Sequence, residues 1–486
     1  MMSFRSLFVA ALTLGFACLP LSAQNEPYIG YIYPAGGQRG SVVNVIIGGQ
    51  NLHQDAQPII SGAGIRILPM DHEKPLPNEA VQELIKRFKE LSRSEMTEAA
   101  DCEMDDIIRQ VGLTEKRKFN PAISENIHLL ITIDKDAEPG ARELRLLIRN
   151  RLTNPIPFHI GNLPEYRKPN PKPADDILIR RKSFEDPSAR KPMEPLAIEP
   201  PCVVNGQVLP GDKDLYRFSA RRGERIIVAV EAQALIPYIS DAVPGWFQPV
   251  ATLINSDGIE VAFSDDFYHR PDPAFCCDIP ADGEYRLEIR DAIYRGREDF
   301  VYRATIGQLP YITSIFPLGG SDGKPIAVEL DGWNLPKKTF DLNYPALGMN
   351  PVRINDGGRF SNRLFFLVES TPSVNETEPN NNTIAAAPRV QPPQVVDGRI
   401  ATPGDIDVFQ IQGGANRRIV IETTARRLGS PIDTVIRLLS SDGRLIAMND
   451  DFDDKRFGLT VHQADSRMIA DISDDAPYYL FVADAQ

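Results

Sequence analysis

Apolar and polar residues alternate along short segments through most of the chain. Apolar side chains occupy every second position in segments 43–47, 226–230 and 419–421. A period of two places alternate side chains on opposite faces of a strand, as in a sheet with one buried face. Residues rich in Gly, Asn and Asp separate these segments and are typical of tight turns. The pattern therefore predicts an all-β, multi-domain array of β-sandwiches.

Residues 71–118 have a different period, in which apolar side chains recur every three or four positions. One group follows Asn78 and a second is predicted to end at Gly112: Val81, Leu84, Ile85, Phe88 and Leu91, then Ala100, Met104, Ile107, Ile108 and Val111. This spacing places each group on one face of an amphipathic helix. We expect a small helical hairpin, inserted in the first sandwich, whose helices pack on each other. The alternative is that their apolar faces bind a partner.

A segment near the N-terminus recurs in the middle of the chain. The shared positions form a strand start and two Gly- or Asn-containing turns: Tyr28, Pro34, Gly36, Gly37 and Asn51, matched by Tyr311, Pro317, Gly319, Gly320 and Asn334. Internal repeats of this kind indicate duplicated domains. The two segments resemble the start of the IPT/TIG family, small immunoglobulin-like sandwiches of exported and surface proteins. The resemblance implies Ig-like sandwiches at residues 24–165 and 309–372, the first carrying the helical insertion.

A second repeat is longer and lies between and after these sandwiches. It shares a Val-Val-x-Gly strand and a Gly-Asp-x-Asp turn: Val203, Val204, Gly206, Asp212 and Asp214, matched by Val395, Val396, Gly398, Asp405 and Asp407. Both copies resemble the bacterial pre-peptidase C-terminal (PPC) domain, which is related to the collagen-binding modules of clostridial collagenases. The resemblance implies jelly-roll-like sandwiches at residues 198–308 and 373–486. A Pro-rich, charged segment at 166–197 is predicted to be a linker.

The second PPC-like copy is expected to be C-terminally truncated. In the first copy, residues 299–306 form a predicted closing strand, whereas the second copy stops at Gln486. A sandwich that lacks a strand exposes an edge. We therefore expect the sequence to be part of a longer protein or a truncated product.

Composition and charge narrow the classes of partner. The 486 residues correspond to about three to four domains. Lys and Arg total 53 against 66 Asp and Glu, which gives a net charge of −13. Nucleic acid is not an expected partner, because its binding depends largely on Lys and Arg contacts to phosphate. Cations and basic partners suit such a surface better.

The N-terminus has the form of a secretory signal peptide at residues 1–23. Arg5 precedes an apolar run at residues 7–16, and the small residue Ala23 predicts cleavage before Gln24. The run is too short for a membrane span, and no membrane span is expected elsewhere. We expect an exported protein that is extracellular, at the cell surface or in the periplasm. Most of the four cysteines that remain after cleavage are expected to be buried thiols, and the sequence leaves open whether two of them form a disulfide.

Candidate catalytic patterns are few. Residues 319–323 match the G-x-S-x-G pattern of a hydrolase nucleophile elbow, with Ser321 as the nucleophile. That chemistry requires a strand–turn–helix context with His and acid partners. Here an alternating strand follows, and the sister copy has Gln38 in place of the serine. We predict a Gly-rich turn, and a chain that is not an enzyme.

Acidic residues near the second PPC-like copy predict a calcium site. In the collagenase relatives an E-x-E-x-N-[DN] segment binds calcium with aspartates of a nearby turn. By that resemblance the ligands are Glu376, Glu378, Asn380, Asn381, Asp405 and Asp407. Calcium takes six to eight oxygen ligands, which this set can supply. The alternative is a solvated linker without metal. The stretch matched to it in the first copy, 193–201, has fewer oxygens, so one dominant calcium site is expected.

Aromatic residues offer a second kind of candidate site. Trp246 and Phe247 follow Pro-Gly in a predicted loop and are a candidate platform for stacking on a sugar or a collagen-like ligand. The alternative is that they fill a core or a domain interface. We expect a non-catalytic binding or adhesion protein that contacts an extracellular protein or polysaccharide. The alternatives are the accessory region of a secreted peptidase or other hydrolase, with its catalytic domain beyond residue 486, and a structural spacer.

Overall fold

The computed structural model describes residues 26–93, 97–168, 194–209, 212–236, 247–323, 325–342, 346–378, 383–452, 462 and 464–485. The signal peptide predicted at 1–23 lies outside them. The chain divides into two compact units. Unit 1 comprises Met1–Arg222, Val228–Phe275 and Pro280–Ile306, and unit 2 comprises Gly223–Ile227, Cys276–Ile279 and Gly307–Gln486.

Unit 1 begins with a sandwich of two sheets, called sandwich 1, in which most neighbouring strands are antiparallel. Its elements are β1 (Tyr28–Tyr33), β2 (Gly36–Gln38), β3 (Val42–Gln50), β4 (Gln57–Ile60), β5 (Ile65–Glu73), α1 (Asn78–Leu91), α2 (Glu98–Phe119), β6 (Glu125–Ile133), β7 (Gly140–Ile148), β8 (Arg151–Leu152) and β9 (Ile156–Gly161). One sheet has the order β1-β3-β6-β5, and the other has the order β2-β9-β7-β4 with β8 beside β7. Apolar residues from both sheets form its core, including Ile47 and Leu129 from the first sheet and Leu144 and Phe158 from the second.

The module that follows sandwich 1, called module 1, is again built from two sheets and belongs to unit 1 apart from the short segments Gly223–Ile227 and Cys276–Ile279. Its strands are β10 (Glu165–Arg167), β11 (Leu196–Ala197), β12 (Cys202–Gln207), β13 (Asp214–Ala220), β14 (Arg225–Glu231), β15 (Pro249–Ile254), β16 (Glu260–Ser264), β17 (Ala274–Asp278), β18 (Gly283–Asp291) and β19 (Val301–Gly307). The sheets have the orders β10-β12-β19-β14-β17 and β11-β13-β18-β15-β16. Strands β10 and β11 take up both ends of the segment predicted as a linker, whose residues 169–193 lie outside the described ones.

Unit 2 repeats this plan. Sandwich 2 contains β20 (Tyr311–Phe316), β21 (Gly319–Ser321), β22 (Ile326–Trp333), β23 (Thr339–Leu342), β24 (Gly348–Val352), β25 (Asn355–Asp356), β26 (Arg359–Phe360) and β27 (Leu364–Glu369). Module 2 contains β28 (Ser373–Asn375), β29 (Arg389–Val390), β30 (Val395–Asp397), β31 (Ile406–Gln412), β32 (Arg417–Glu422), β33 (Thr434–Ser440), β34 (Leu445–Asn449), β35 (Arg467–Ile472) and β36 (Pro477–Asp484). The fold class is all-β, as the alternating pattern predicted.

The internal repeats of the sequence reappear in the hydrogen bonding of the strands. The pairing of β1 with β3 shifts register after Ile29, and the pairing of β20 with β22 shifts after Ile312. The amide of Asn154 accepts from Ile29 N at 2.8 Å and donates to Ile29 O at 2.9 Å. Asn362 makes the same two bonds to Ile312, at 2.6 and 2.8 Å. The two sandwiches therefore share a bulge and the side chain that fixes it.

The two modules match in one sheet and differ in the other. Sheet β29-β31-β36-β33-β34 of module 2 has the same order as sheet β11-β13-β18-β15-β16 of module 1. In module 1, β19 lies between β12 and β14. The corresponding strands of module 2 form two separate pairs, β28 with β30 and β32 with β35.

The helical insertion is confirmed, but its second helix is longer than predicted. Helix α2 continues through Gly112 to Phe119. One glycine inside a helix costs about 1 kcal/mol relative to alanine, which is too little to end a helix that packs on a neighbour. Leu91, Ala100 and Ile107 form a small apolar cluster between the helices. Among the described residues, no helix has the length and apolar character needed to cross a bilayer.

Candidate carboxylate site in module 2

Glu376 is fixed at the end of a short strand. Strand β28 runs parallel to β30, and the backbone N–H of Glu376 donates to Asp397 O at 3.0 Å. The Glu376 carboxylate accepts a hydrogen bond from Arg399 N. A Cβ at Gly398 would lie 2.8 Å from Glu376 Oε2. Gly398 therefore leaves the space that the carboxylate of Glu376 fills.

Asp405 and Asp407 come from the turn before β31 and from β31 itself. Gly404 has a φ of +83°, in the left-handed region that favours glycine. The turn closes through a hydrogen bond from Asp405 N to Thr402 O at 3.0 Å, and Asp405 Oδ2 accepts from Ala401 N at 2.7 Å. Asp407 lies on the strand and is only 2% exposed. The backbone thus holds one aspartate in the turn and carries the other into the interior.

Three carboxylates meet at this place. One oxygen each of Glu376, Glu378 and Asp407 lies within 4.8 Å of the others, and we call these three residues the carboxylate cluster. Burial, followed by the negative charge of Glu376, raises the pKa of Asp407 to about 8. Burial also raises the pKa of Glu376, against the lowering effect of the hydrogen bond from the backbone of Arg399. Ionising all three groups in the absence of a cation is therefore unfavourable.

Several oxygens of the site are buried without a hydrogen-bond donor. Among the described residues, these include Glu376 Oε2, Asp405 Oδ1 and Asp407 Oδ1. A buried polar atom without a partner costs free energy, and a buried unpaired charge costs more. A cation bound here would supply both a partner for these oxygens and the compensating charge.

The chemistry of the donors fits calcium. The cluster consists of carboxylates alone, which are hard oxygen ligands of the kind calcium prefers. Zinc is held mainly by His nitrogen and Cys sulfur, and neither residue type belongs to the cluster. Glu378 is exposed, so water can complete a shell of six to eight oxygens. Glu376, Glu378 and Asp407 would hold such an ion.

The other residues predicted for binding lie outside the carboxylate cluster or outside the described residues. Asp405 lies outside the cluster, because its carboxylate is held by the turn, but its charge still acts on Asp407. Asn380, Asn381 and Trp246 lie outside the described residues. Phe247 is 6% exposed. Its ring stacks on Phe300 with 5.2 Å between the ring centres, so Phe247 belongs to the core of module 1 and offers no open face to a ligand.

A lysine occupies the corresponding place in module 1. Lys168 follows β10 as Glu376 follows β28, and its backbone N–H donates to Asn205 O at 3.2 Å. The Nζ of Lys168 bonds to Asp214 Oδ1 and lies 3.8 Å from Asp212 Oδ2. Asp212 and Asp214 are the repeat counterparts of Asp405 and Asp407. The aspartate pair therefore meets an ammonium group here, where module 2 has a carboxylate.

Tyrosines complete the environment of Asp214. The hydroxyl of Tyr302, from β19, donates to Asp214 Oδ2 at 2.8 Å and lies 2.7 Å from the hydroxyl of Tyr216. Asp214 is 0% exposed. Burial raises its pKa, and the charge and hydrogen bond of Lys168 and the hydroxyl of Tyr302 act to lower it. Both carboxylate oxygens of this aspartate are satisfied from within the protein.

Sequence comparison missed the role of Lys168. It matched the acidic segment of the second copy to residues 193–201, but the structural counterpart is β10, which pairs with β12 as β28 pairs with β30. The residues of β10 and β28, Glu-Tyr-Arg and Ser-Val-Asn, share no pattern. The repeat predicts that a short strand pairs with each Val-Val-x-Gly strand, but it does not indicate which residues form that short strand in module 1.

Comparisons with known proteins find only distant similarity, and only to solved structures. No family model and no curated protein matches the chain. One similar solved structure is the pre-peptidase C-terminal domain of a collagenase from Bacillus anthracis, with 14% identity over 24% of this chain and 98% of that chain, and a TM-score of 0.19. Another is PliG from Salmonella Typhimurium, a periplasmic inhibitor of g-type lysozyme, with 16% identity over 24% and 98%, and a TM-score of 0.17.

A third similar structure is larger than this chain. It contains the M60 catalytic domain and the CBM51-1 and CBM51-2 domains of ZmpB from Clostridium perfringens. The identity is 12%, the TM-score is 0.16, and the match covers 72% of this chain and 47% of that chain. At these identities and TM-scores the likenesses do not bear on the site, whose interpretation depends on its own geometry.

Proposed function

We propose that the chain is an exported, non-catalytic binding or adhesion protein whose module 2 is stabilised by calcium. Its ligand is an extracellular protein or glycan. The observation that carries the calcium part is the carboxylate cluster, in which Asp407 is buried with an oxygen that accepts no hydrogen bond. An exported protein meets calcium at concentrations that match the affinities of extracellular modules, about 10⁻⁴–10⁻³ M.

The local use of Ser321 supports a non-catalytic role. This residue lies in strand β21, which an alternating strand follows instead of a helix. Its hydroxyl donates to Thr371 O at 3.2 Å and accepts from Ser373 N at 2.9 Å. Both bonds tie β21 to the segment that enters module 2. The hydroxyl therefore has a structural use, and the G-x-S-x-G pattern lacks the context of a nucleophile elbow.

A cleft beside the turn of Asp405 is the candidate ligand site. It has a volume of about 500 Å³ and is lined on one side by residues 400–406. Arg437, Phe481 and Asp484 line the other side. The cleft therefore offers an apolar ring and charges of both signs, a mixture that suits a glycan or a peptide. Since residues 400–406 include the turn that leads to Asp407, calcium would also stiffen one wall of the cleft.

Isothermal titration of the chelated protein with calcium tests the first part of the proposal. We expect one dominant site with a Kd of about 10⁻⁴–10⁻³ M and a rise in melting temperature on addition of calcium. A flat titration together with an unchanged melting temperature would reject the calcium site.

Arrays of glycans and extracellular matrix proteins, probed with calcium present, test the second part. We expect binding that Arg437→Ala weakens, while the exposed control Arg444→Ala leaves it unchanged. Arrays that return no ligand would favour a structural spacer. Turnover of peptide or ester substrates that Ser321→Ala abolishes would contradict the non-catalytic assignment.

A further inference from the structure

The two corresponding places, at Lys168 and at Glu376, each lie where a sandwich meets its module. In unit 1, Tyr33 at the end of β1 directs its hydroxyl to Lys168 O at 3.1 Å and to Asn205 O at 3.3 Å. The guanidinium of Arg167 lies 4.7 Å from the centre of the Tyr33 ring, and its Nη1 donates to Asn44 O at 3.2 Å. Tyr33 and Asn44 of sandwich 1 therefore hold Lys168 and its neighbour Arg167 in place.

In unit 2 an arginine connects the sandwich to the cluster. Phe316 is the repeat counterpart of Tyr33 and has no hydroxyl. The guanidinium of Arg399 lies 4.0 Å from the centre of the Phe316 ring and bonds to Glu329 Oε2 at 2.9 Å. The backbone N–H of the same arginine donates to the carboxylate of Glu376. Movement of Glu376 is therefore coupled to the contacts that Arg399 makes with sandwich 2.

We infer that a cation fastens each junction between a sandwich and its module, as the attached ammonium of Lys168 in unit 1 and as an exchangeable calcium ion at the carboxylate cluster in unit 2. The second half of this inference rests on the calcium site proposed above. Because Lys168 is part of the chain, the first junction is closed under all ionic conditions. The second junction is fastened at the carboxylate cluster only when calcium is present.

The reason is the balance of charge beside a short strand. Without calcium, no cation compensates the three crowded carboxylates, and the backbone of Asp397 and of Arg399 holds Glu376 in place. Strand β28 has three residues, and the bonds of Ser373 with Ser321 and Asp397 lie at the end away from Glu376, so few hydrogen bonds oppose release of the Glu376 end. Release of Glu376 removes the anchor of Arg399 and with it the bridge to Glu329. Calcium reverses each of these steps.

Hydrogen–deuterium exchange of the full chain, with excess calcium or excess chelator, tests the inference. We expect chelation to speed exchange in peptides that cover 319–329, 373–378 and 395–400, by up to about 100-fold if calcium stands at 100 times its Kd. Peptides that cover 164–168 and 203–209, at the first junction, should exchange equally in both conditions.

Two variants separate the parts of the inference. Glu376→Lys places an ammonium where module 1 has one, so we expect slow exchange at 373–378 without calcium and no further effect of calcium. Arg399→Ala keeps the backbone N–H but removes the bridge, so calcium should still bind and slow exchange at 373–378, while 319–329 stays fast.

The outcomes distinguish this inference from the calcium proposal. If calcium binds and raises the melting temperature but exchange at 319–329 does not change, the calcium site stands and the fastened junction is rejected. Calcium-dependent exchange at 164–168 would reject the role of Lys168. If Glu376→Lys unfolds the module, the Arg399→Ala comparison still decides, because equal calcium protection of 319–329 in that variant and in the parent protein overturns the inference.

Discussion

Module 1 and module 2 each place a repeat-related pair of aspartates beside a short parallel strand, yet the groups that face the two pairs differ. In module 1 the ammonium of Lys168 and the hydroxyl of Tyr302 satisfy Asp214. In module 2 Glu376 stands in the position of Lys168, and Asp407 has a buried oxygen without a donor. In module 1 the chain supplies the compensating charge itself, and under the calcium proposal module 2 takes it from the solution.

The two solutions have different consequences for stability. An internal ammonium is present whenever the chain folds, so its contribution does not depend on the medium. A bound ion adds stability in proportion to the logarithm of its concentration above Kd. Unit 1 is therefore expected to behave as a constant scaffold, and unit 2 as a part of the protein whose stability reports external calcium.

The largest expected effect comes from removing the internal cation. Lys168→Met leaves Asp214 buried without its ion-pair partner, and breaking a buried pair in this way costs about 3–5 kcal/mol. We expect this loss of unfolding free energy in unit 1, measured by urea denaturation, and no recovery on addition of calcium.

An exposed lysine in the same module provides the control for that variant. Lys213 pairs with Glu288 at 2.7 Å with half of its side chain exposed to solvent. Because such surface pairs contribute about 0–1 kcal/mol, Lys213→Met should change stability little. Equal effects of the two substitutions would show that Lys168 is not a buried compensating charge.

The next effect in size is the response of unit 2 to calcium. At 100 times Kd, calcium binding should stabilise this unit by about 2.7 kcal/mol. Glu378→Ala removes one member of the cluster and should abolish most of the calcium-dependent rise in melting temperature. Asp214→Ala lies in the other module, so its calcium response should equal that of the parent protein. A calcium response lost in Asp214→Ala and kept in Glu378→Ala would reverse the assignment of the two modules.

Much of the fold could be predicted from the sequence, because strand periods and turn residues are local signals. The period of two gave the all-β class, and the matched Pro, Gly and Asn positions indicated the repeats that share the register shift after Ile29 and Ile312. The end of α2 was predicted too early, because Gly112 was given more weight than the packing of the helix. The neighbours of Phe247 resemble a loop and suggested a ligand platform, whereas its ring lies in the core, the alternative that the sequence left open.

The candidate site was only partly predictable. Glu376, Glu378 and Asp407 were named from a resemblance, and the structure places them within 4.8 Å of one another. The part played by Lys168 depends on a parallel pairing of β10 with β12 across a long connection. Such long-range pairings leave no local pattern in the chain, so a lysine in a Pro-rich segment gave no sign of its partner.

A smaller loss of stability is expected on removing the hydroxyl of Tyr302, which bonds to Asp214 together with Lys168. Tyr302→Phe removes the donor to Asp214 Oδ2 while keeping the ring in its place. Hydrogen bonds to charged groups contribute about 1.5–3 kcal/mol, so we expect unit 1 to lose about 2 kcal/mol in urea denaturation. Tyr285→Phe is the matched control, since the hydroxyl of Tyr285 donates to a backbone oxygen, that of Ala281, at 2.8 Å. A loss from Tyr302→Phe no larger than from this control would mean that Lys168 alone compensates Asp214.

The smallest effect concerns Tyr33, which differs from its counterpart Phe316 by one hydroxyl. Burial raises the pKa of Tyr33 to about 12, so the hydroxyl remains protonated and donates to the backbone beside Lys168. Tyr33→Phe removes this bond and should cost about 1 kcal/mol, the usual net value of a neutral hydrogen bond. Its effect should be confined to unit 1, where exchange of residues 164–168 should become faster in chelator and in calcium alike. If calcium slowed that exchange in Tyr33→Phe, the first junction would also hold an exchangeable ion, and the contrast between the two modules would fail.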